Sequence, residues 1–222
     1  MGQLDGKIAV VTGAGQGVGQ GIAFALAAEG ATLAITGRTF SKLETTVQAI
    51  EERGGRAIAI VCNVKSEESL GSMVNEVVEK LGTIDILVNN AQEVPLGPLN
   101  GVTEEAFTAG WESGPLATFR LMKLCYPHLK GGGNIINLGS AAAKRWDMAN
   151  YGCYAAVKEA IRSLTRAAAC EWAVDGIRTN VILPHATSPA LVGWIDANPE
   201  ESEEFFSTIP MRRVGDCEED IG

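Results

Sequence analysis

Residues 8–37 read IAVVTGAGQGVGQGIAFALAAEGATLAITG. Two nearly continuous apolar runs, IAVVT (8–12) and TLAIT (32–36), bracket a helix predicted over 17–29, with Gly30 just past its end as a stop signal. A strand, a helix and a second strand of these lengths make a βαβ unit. Strands in such a unit run parallel and are covered on both faces, so they read as apolar runs rather than as an alternation. Gly13, Gly17 and Gly19 follow the first strand directly and open the helix. In that context loop N–H groups and a helix N-terminus can face a pyrophosphate. The spacing is G-x-x-x-G-x-G, and a tight strand-to-helix turn also asks for glycines, so the loop alone specifies no reaction.

The same alternation continues along the chain. Strands are predicted at AIAIV (57–61), IDILVN (84–89), NIINL (134–138) and RTNVIL (178–183), with helices near 41–53, 66–81, 103–129 and 150–174. This order dictates a three-layer α-β-α, doubly wound parallel sheet. With 222 residues and 46% apolar content, one domain over 1–222 has ample core. A net charge of −9 and a pI near 4.8 argue against nucleic acid or an anionic membrane as partner, since phosphate binding relies on clustered Lys and Arg. No apolar run approaches the roughly 20 residues needed to span a bilayer, and the start has no basic segment and apolar run of a signal peptide. Five cysteines, odd in number and never in a C-x-x-C pair, suit a reduced cytoplasmic compartment. None of the motifs asks for a metal.

Residues 151–160, YGCYAAVKEA, place Tyr154 four before Lys158 and Tyr151 seven before it. Residues four apart are neighbours on a helix face, and an ammonium beside a phenol lowers its pKa from about 10. A bare Y-x-x-x-K also suits an exposed helix face. Ser140 lies at a strand end, where this fold puts its ligands, and could equally cap the helical turn at AAAK (141–144).

Taken in order, TGAGQGVG (12–19), NNA (89–91), INLGS (136–140) and YAAVK (154–158) resemble the short-chain dehydrogenase/reductases over about residues 5–184. The resemblance implies a Rossmann-type domain with Tyr154 as proton donor and acceptor. It implies Lys158 as the group that acidifies that tyrosine and holds the nicotinamide ribose, and Ser140 as a hydrogen-bond partner of the substrate oxygen. The cofactor contacts it implies fall on Gly13, Gln16, Gly17, Val18, Gly19, Arg38, Asn63, Val64, Asn90, Ala91 and Pro184, besides Tyr154 and Lys158. The loop after the second strand, ITGRTFSK (35–42), contains Arg38 and no carboxylate, which suits the 2′-phosphate of NADP(H) better than the free ribose of NAD(H).

Three departures fall at the nicotinamide end. Gly114, in WESGPLATF (111–119), stands where the family has an asparagine whose side chain helps hold a water linking the lysine to solvent. Gln92 replaces a glycine after NNA, and His185 replaces a glycine after the sixth strand. Pro115 lacks an N–H, so a break or kink is predicted at 113–115. Residues 185–210, with Trp194, Phe205 and Phe206, read as a substrate lid. Family members continue beyond a segment like 213–222 through a further helix and strand, so the last strand is expected to be missing from this sequence. The reading is an NADP(H)-dependent oxidoreductase of a small-molecule carbonyl or alcohol, forming a homotetramer or dimer through 103–129 and 150–174. A weakly active NADP(H)-binding homologue, serving as redox sensor or structural partner, is the alternative.

Overall fold

The computed structural model describes residues 2–144 and 150–222. Six strands form one wholly parallel sheet: β1 (Ile8–Thr12), β2 (Thr32–Gly37), β3 (Arg56–Val61), β4 (Ile86–Asn89), β5 (Asn134–Leu138) and β6 (Arg178–Ile182). Their order is β3-β2-β1-β4-β5-β6. The order reverses between β1 and β4, which is the crevice where doubly wound sheets bind ligands.

Alternate strand residues fill two cores. Val10, Ala34, Leu87 and Ile135 pack on one face with Leu70, Met73, Val77, Leu121 and Leu129. Ala9, Val11, Leu33, Ile35 and Val88 pack on the other with Ile22, Ala23, Leu43 and Ile50. The inner strands β1, β2, β4 and β5 are therefore covered on both sides, which is why they read as unbroken apolar runs, while the edge strands β3 and β6 leave Arg56, Val61, Arg178 and Asn180 exposed. The helices supplying these faces are α1 (Gly17–Ala28), α2 (Phe40–Glu52), α3 (Glu67–Leu81), α5 (Ala117–Leu129) and α6 (Gly152–Glu171), while α4 (Glu104–Trp111) lies outside both cores. Ser66 caps α3, its hydroxyl accepting from Ser69 N, with Glu67 and Glu68 in the first turn where the helix dipole favours them. Two further helices, α7 (Pro189–Ala197) and α8 (Pro199–Thr208), follow β6.

The predicted break at 113–115 takes a milder form. Residues Glu112–Leu116 make a single π turn that joins α4 to α5, with Pro115 inside it. A wider turn accommodates a proline that has no N–H to donate, and π turns of this kind gather at functional sites. Among the described residues no helix is long and apolar enough to cross a membrane.

Candidate active site

A cleft of about 450 Å³ opens over the carboxyl ends of β1, β2, β3 and β4. Its floor is the glycine loop. Gly13 and Gly17 take φ values of 67° and 60°, which a Cβ would strain. At Gly19 a Cβ would lie 2.4 Å from Asn90 Nδ2 and 2.6 Å from the Gly13 carbonyl oxygen. Asn90 is the clamp that shapes this loop: its amide donates to Thr12 O at 2.9 Å and Gly13 O at 3.3 Å. The Thr12 hydroxyl accepts from the backbone N–H groups of Asn90 and Ala91, both at 3.0 Å. The loops after β1 and β4 are thus tied into one unit.

Around the rim, Gln16, Val18, Arg38, Asn63, Val64 and Ala91 line the cleft as the sequence implies. Asn63 folds its side chain back to accept from Lys65 N, fixing the turn after β3. Pro184 is not among the lining residues. The chain beyond β6 turns away to pair Ala186 with Gly215, and Ser188 and Pro189 reach the cleft instead, Pro189 lying 3.2 Å from where a Gly17 Cβ would stand.

Tyr154, Lys158 and Ser140 meet beside this cleft, past the end of β5. Lys158 is 3% exposed and its Nζ donates to Leu138 O at 2.7 Å, 5.6 Å from the Tyr154 ring centroid. Burial lowers its pKa to about 8. The Tyr154 phenol moves upward, contrary to the expectation from spacing alone. Burial dominates, the Ser140 hydroxyl opposes it by hydrogen bonding, and Tyr151 adds to it. The spacing argument fails here because it counts the nearby cation but not the loss of water around the phenol. The cap foreseen for Ser140 forms: its Oγ accepts from Ala142 N at 3.2 Å, at the head of the 3-10 turn Ala141–Lys144.

Residues 13–222 match a family profile described as Enoyl-(Acyl carrier protein) reductase. Over 231 aligned residues the chain is 40% identical to the 12alpha-hydroxysteroid dehydrogenase of a Clostridium species, covering 100% of this chain and 89% of that one. The chain belongs to the short-chain dehydrogenase/reductase family. As a short-chain dehydrogenase/reductase it is an oxidoreductase acting on hydroxyl and keto groups with a nicotinamide cofactor. Two solved structures extend the likeness. A 7 alpha-hydroxysteroid dehydrogenase complexed with NADH and 7-oxo glycochenodeoxycholic acid superposes with a TM-score of 0.91 at 33% identity, covering 96% of this chain and 84% of that one. A short chain dehydrogenase from Burkholderia cenocepacia in complex with NADP gives 0.87 at 32% identity, covering 97% and 87%.

Several residues of this short-chain dehydrogenase/reductase site are not signalled by any sequence motif. Glu93 reaches across the cleft mouth to Arg38 at 2.8 Å and to Lys65 at 3.3 Å. Lys42, which lines the same rim, donates to Gln16 at 2.5 Å. Arg38 therefore has a carboxylate partner from a distant loop, although its own loop has none. The spacing of Arg38 and Lys42, four apart across the start of α2, was the available hint; Glu93 had none. His185 rests edge-on against Phe205, whose ring also meets Trp194.

Proposed function

We propose that the protein is an NADP(H)-dependent oxidoreductase that interconverts a ketone or aldehyde and an alcohol. Hydroxysteroids are the substrate class to test first. The convergence of Tyr154, Lys158 and Ser140 at the end of β5 carries this reading. The site fits a dinucleotide: the glycine loop borders a cleft of about 450 Å³, and three cations, Arg38, Lys42 and Lys65, stand on its rim.

The glycine loop and the N-terminus of α1 hold the pyrophosphate. Asn63 and Val64 flank the adenine, and Arg38, with Lys42 beside it, takes the 2′-phosphate. Bound NADPH supplies the hydride. Tyr154 donates its phenolic proton to the substrate oxygen, and Ser140 hydrogen-bonds that oxygen as charge builds on it. Lys158 bonds the nicotinamide ribose and returns a proton to Tyr154. Residues 185–210 close over the substrate as a lid, which carries the packed rings of His185, Trp194 and Phe205. The steroid-acting relatives support a large apolar substrate. The protein is cytoplasmic and forms a homotetramer or dimer through α4, α5 and α6, where Phe107, Trp111 and Phe119 are exposed on single chains.

The test follows the reduced-nicotinamide absorbance of NADPH as 12-oxo and 7-oxo bile acids, then simpler ketones and aldehydes, are added to the purified protein. Turnover that Tyr154→Phe abolishes supports the reading. Tight NADPH binding with no turnover of any carbonyl supports the sensor instead. Light scattering gives the oligomer.

A further inference from the structure

The two departures at 92 and 114 meet in space. A Cβ on Gly114 would lie 2.5 Å from Gln92 Oε1, 2.9 Å from Gln92 Nε2 and 2.8 Å from Val157 Cγ1. The Gln92 amide thus fills the volume that a side chain at 114 would need, next to the residue that precedes Lys158. Its orientation is fixed. Nε2 donates to Glu93 O at 2.7 Å and to Gly110 O at 2.9 Å, so both of its N–H groups are used. A flipped amide would set its oxygen against those two carbonyls. The oxygen is therefore the end turned to Gly114, where it is buried and accepts no hydrogen bond from the described residues. A buried amide oxygen without a donor is costly, and such an oxygen is open to a donor supplied from outside the protein. Lys158 carries three N–H donors, of which one is committed among the described residues, to Leu138 O.

The geometry points to Gln92 as a positioning residue of the proton relay: delivered from the loop after β4, its Oε1 accepts a hydrogen bond from the water that serves Lys158, in place of a side-chain amide at 114. Gly114 is glycine because that amide needs the room. This rests on the reading of Tyr154 and Lys158 given above. In carbonyl reduction Tyr154 loses a proton to the substrate oxygen and regains one through Lys158 from solvent. Gln92 neither gains nor loses a proton; it holds the carrier in line. Because Gln92 also lines the cofactor cleft, the relay would leave the buried lysine on the cofactor side.

Three variants test it: Gln92→Ala, Gly114→Asn and the double substitution Gln92→Gly with Gly114→Asn. Gln92→Ala is expected to lower kcat about tenfold, a modest share of what general acid–base catalysis contributes, with KM for the carbonyl and Kd for NADPH changed less than about twofold. The kcat loss should come with an enlarged solvent isotope effect. Gly114→Asn alone is expected to lose activity by crowding Gln92 and Val157, and the double variant to recover to within about threefold of the wild type. A second readout needs no turnover: the pH titration of Lys158, followed by NMR on labelled lysine ε-carbons with Lys158→Met for assignment, should shift downward in Gln92→Ala. An unchanged titration, or a Gln92→Ala enzyme with wild-type kcat and isotope effect, overturns the assignment. So does a folded double variant with no recovery. Tyr154→Phe run alongside separates the two levels, since turnover surviving it removes the underlying reading, whereas its loss together with an inert Gln92→Ala removes only the relay.

Discussion

Lys158 Nζ lies on the Leu138 carbonyl at 2.7 Å and 5.6 Å from the centre of the Tyr154 ring. The lysine is thereby held at the end of β5 by the strand itself. With burial raising the phenol's pKa and lowering that of Lys158 to about 8, the phenol is fully protonated at neutral pH and the ammonium is the group that titrates. In the proposed mechanism carbonyl reduction needs both protons. Its kcat is expected to stay level below about pH 8 and to fall above it, while alcohol oxidation, which needs proton acceptors, rises over the same range. Tyr154→Phe should cut reduction by about a thousandfold, with NADPH affinity nearly unchanged, because a lost general acid costs about 10²–10⁴ in rate. Stopped-flow rates across pH 6–10 with each variant check this; a reduction rate that climbs through pH 8 counts against the arrangement.

The same buried cation makes a stability prediction of definite sign. Lys158 titrates near 8 when folded and near 10.5 when unfolded, so between these values the unfolded chain binds more protons. Stability therefore rises with pH across that window, and below pH 8 the full cost of burying the ammonium is present. That cost is on the order of 3 kcal/mol. Lys158→Met removes it, less the lost hydrogen bond to Leu138 O. The variant should melt at or above the wild-type temperature at pH 7, and the wild type should gain on it steadily from pH 8 to 10.5. A melting-temperature difference that is flat over that range would contradict a depressed lysine.

Much of this was legible in the sequence, for identifiable reasons. Double-sided burial of the inner strands β1, β2, β4 and β5 forces apolar runs, and α3 announces itself through Ser66 followed by Glu67 and Glu68. The Tyr154 and Lys158 spacing survives folding because both lie on one helix, α6. What a linear reading misses comes from between loops. Glu93 meets Arg38 only because the loops after β2 and β4 face each other across the cleft, 55 positions apart in the chain. Gln92 and Gly114 are separate oddities in the sequence and one packing unit in space. The phenol's upward shift was likewise out of reach, since desolvation depends on everything packed around Tyr154.

On the proposed function, Arg38 and Glu93 are expected to set the cofactor preference between them. The Glu93 carboxylate, 2.8 Å from Arg38 and 3.3 Å from Lys65, sits on the cations that a 2′-phosphate would engage. Arg38→Ala should raise Kd for NADPH about tenfold or more and leave NADH within about threefold, as expected for losing a charged hydrogen bond. Glu93→Gln should move in the opposite direction, tightening NADPH by a few-fold and flattening as salt is raised, because the competing pair is exposed and screened. Tryptophan-quenching titrations with both cofactors decide it. Equal losses of NADPH and NADH in Arg38→Ala would mean the guanidinium does not read the phosphate.

On the proposed function, the clamp under the glycine loop lets pyrophosphate binding be tested apart from phosphate discrimination. A methyl at residue 19 would stand 2.4 Å from Asn90 Nδ2 and 2.6 Å from Gly13 O, and the second of these is backbone that cannot rotate aside. Gly19→Ala should therefore push Asn90 off Thr12 O and Gly13 O, at a cost of about 1–3 kcal/mol for overpacking a tight site. In a chain of this size that corresponds to a drop in Tm of roughly 2–4 °C for each kcal/mol. Asn90→Ala removes the same clamp without the clash and should destabilise less. In both variants NADPH and NADH should weaken by the same factor, because in the proposed binding mode the loop would face the part of the dinucleotide that the two share. Calorimetric melting with parallel titrations of each cofactor makes the comparison. A Gly19→Ala protein that keeps its Tm and both affinities would show that the loop can open without Asn90, and a selective loss of NADPH would place the 2′-phosphate on this loop rather than at Arg38.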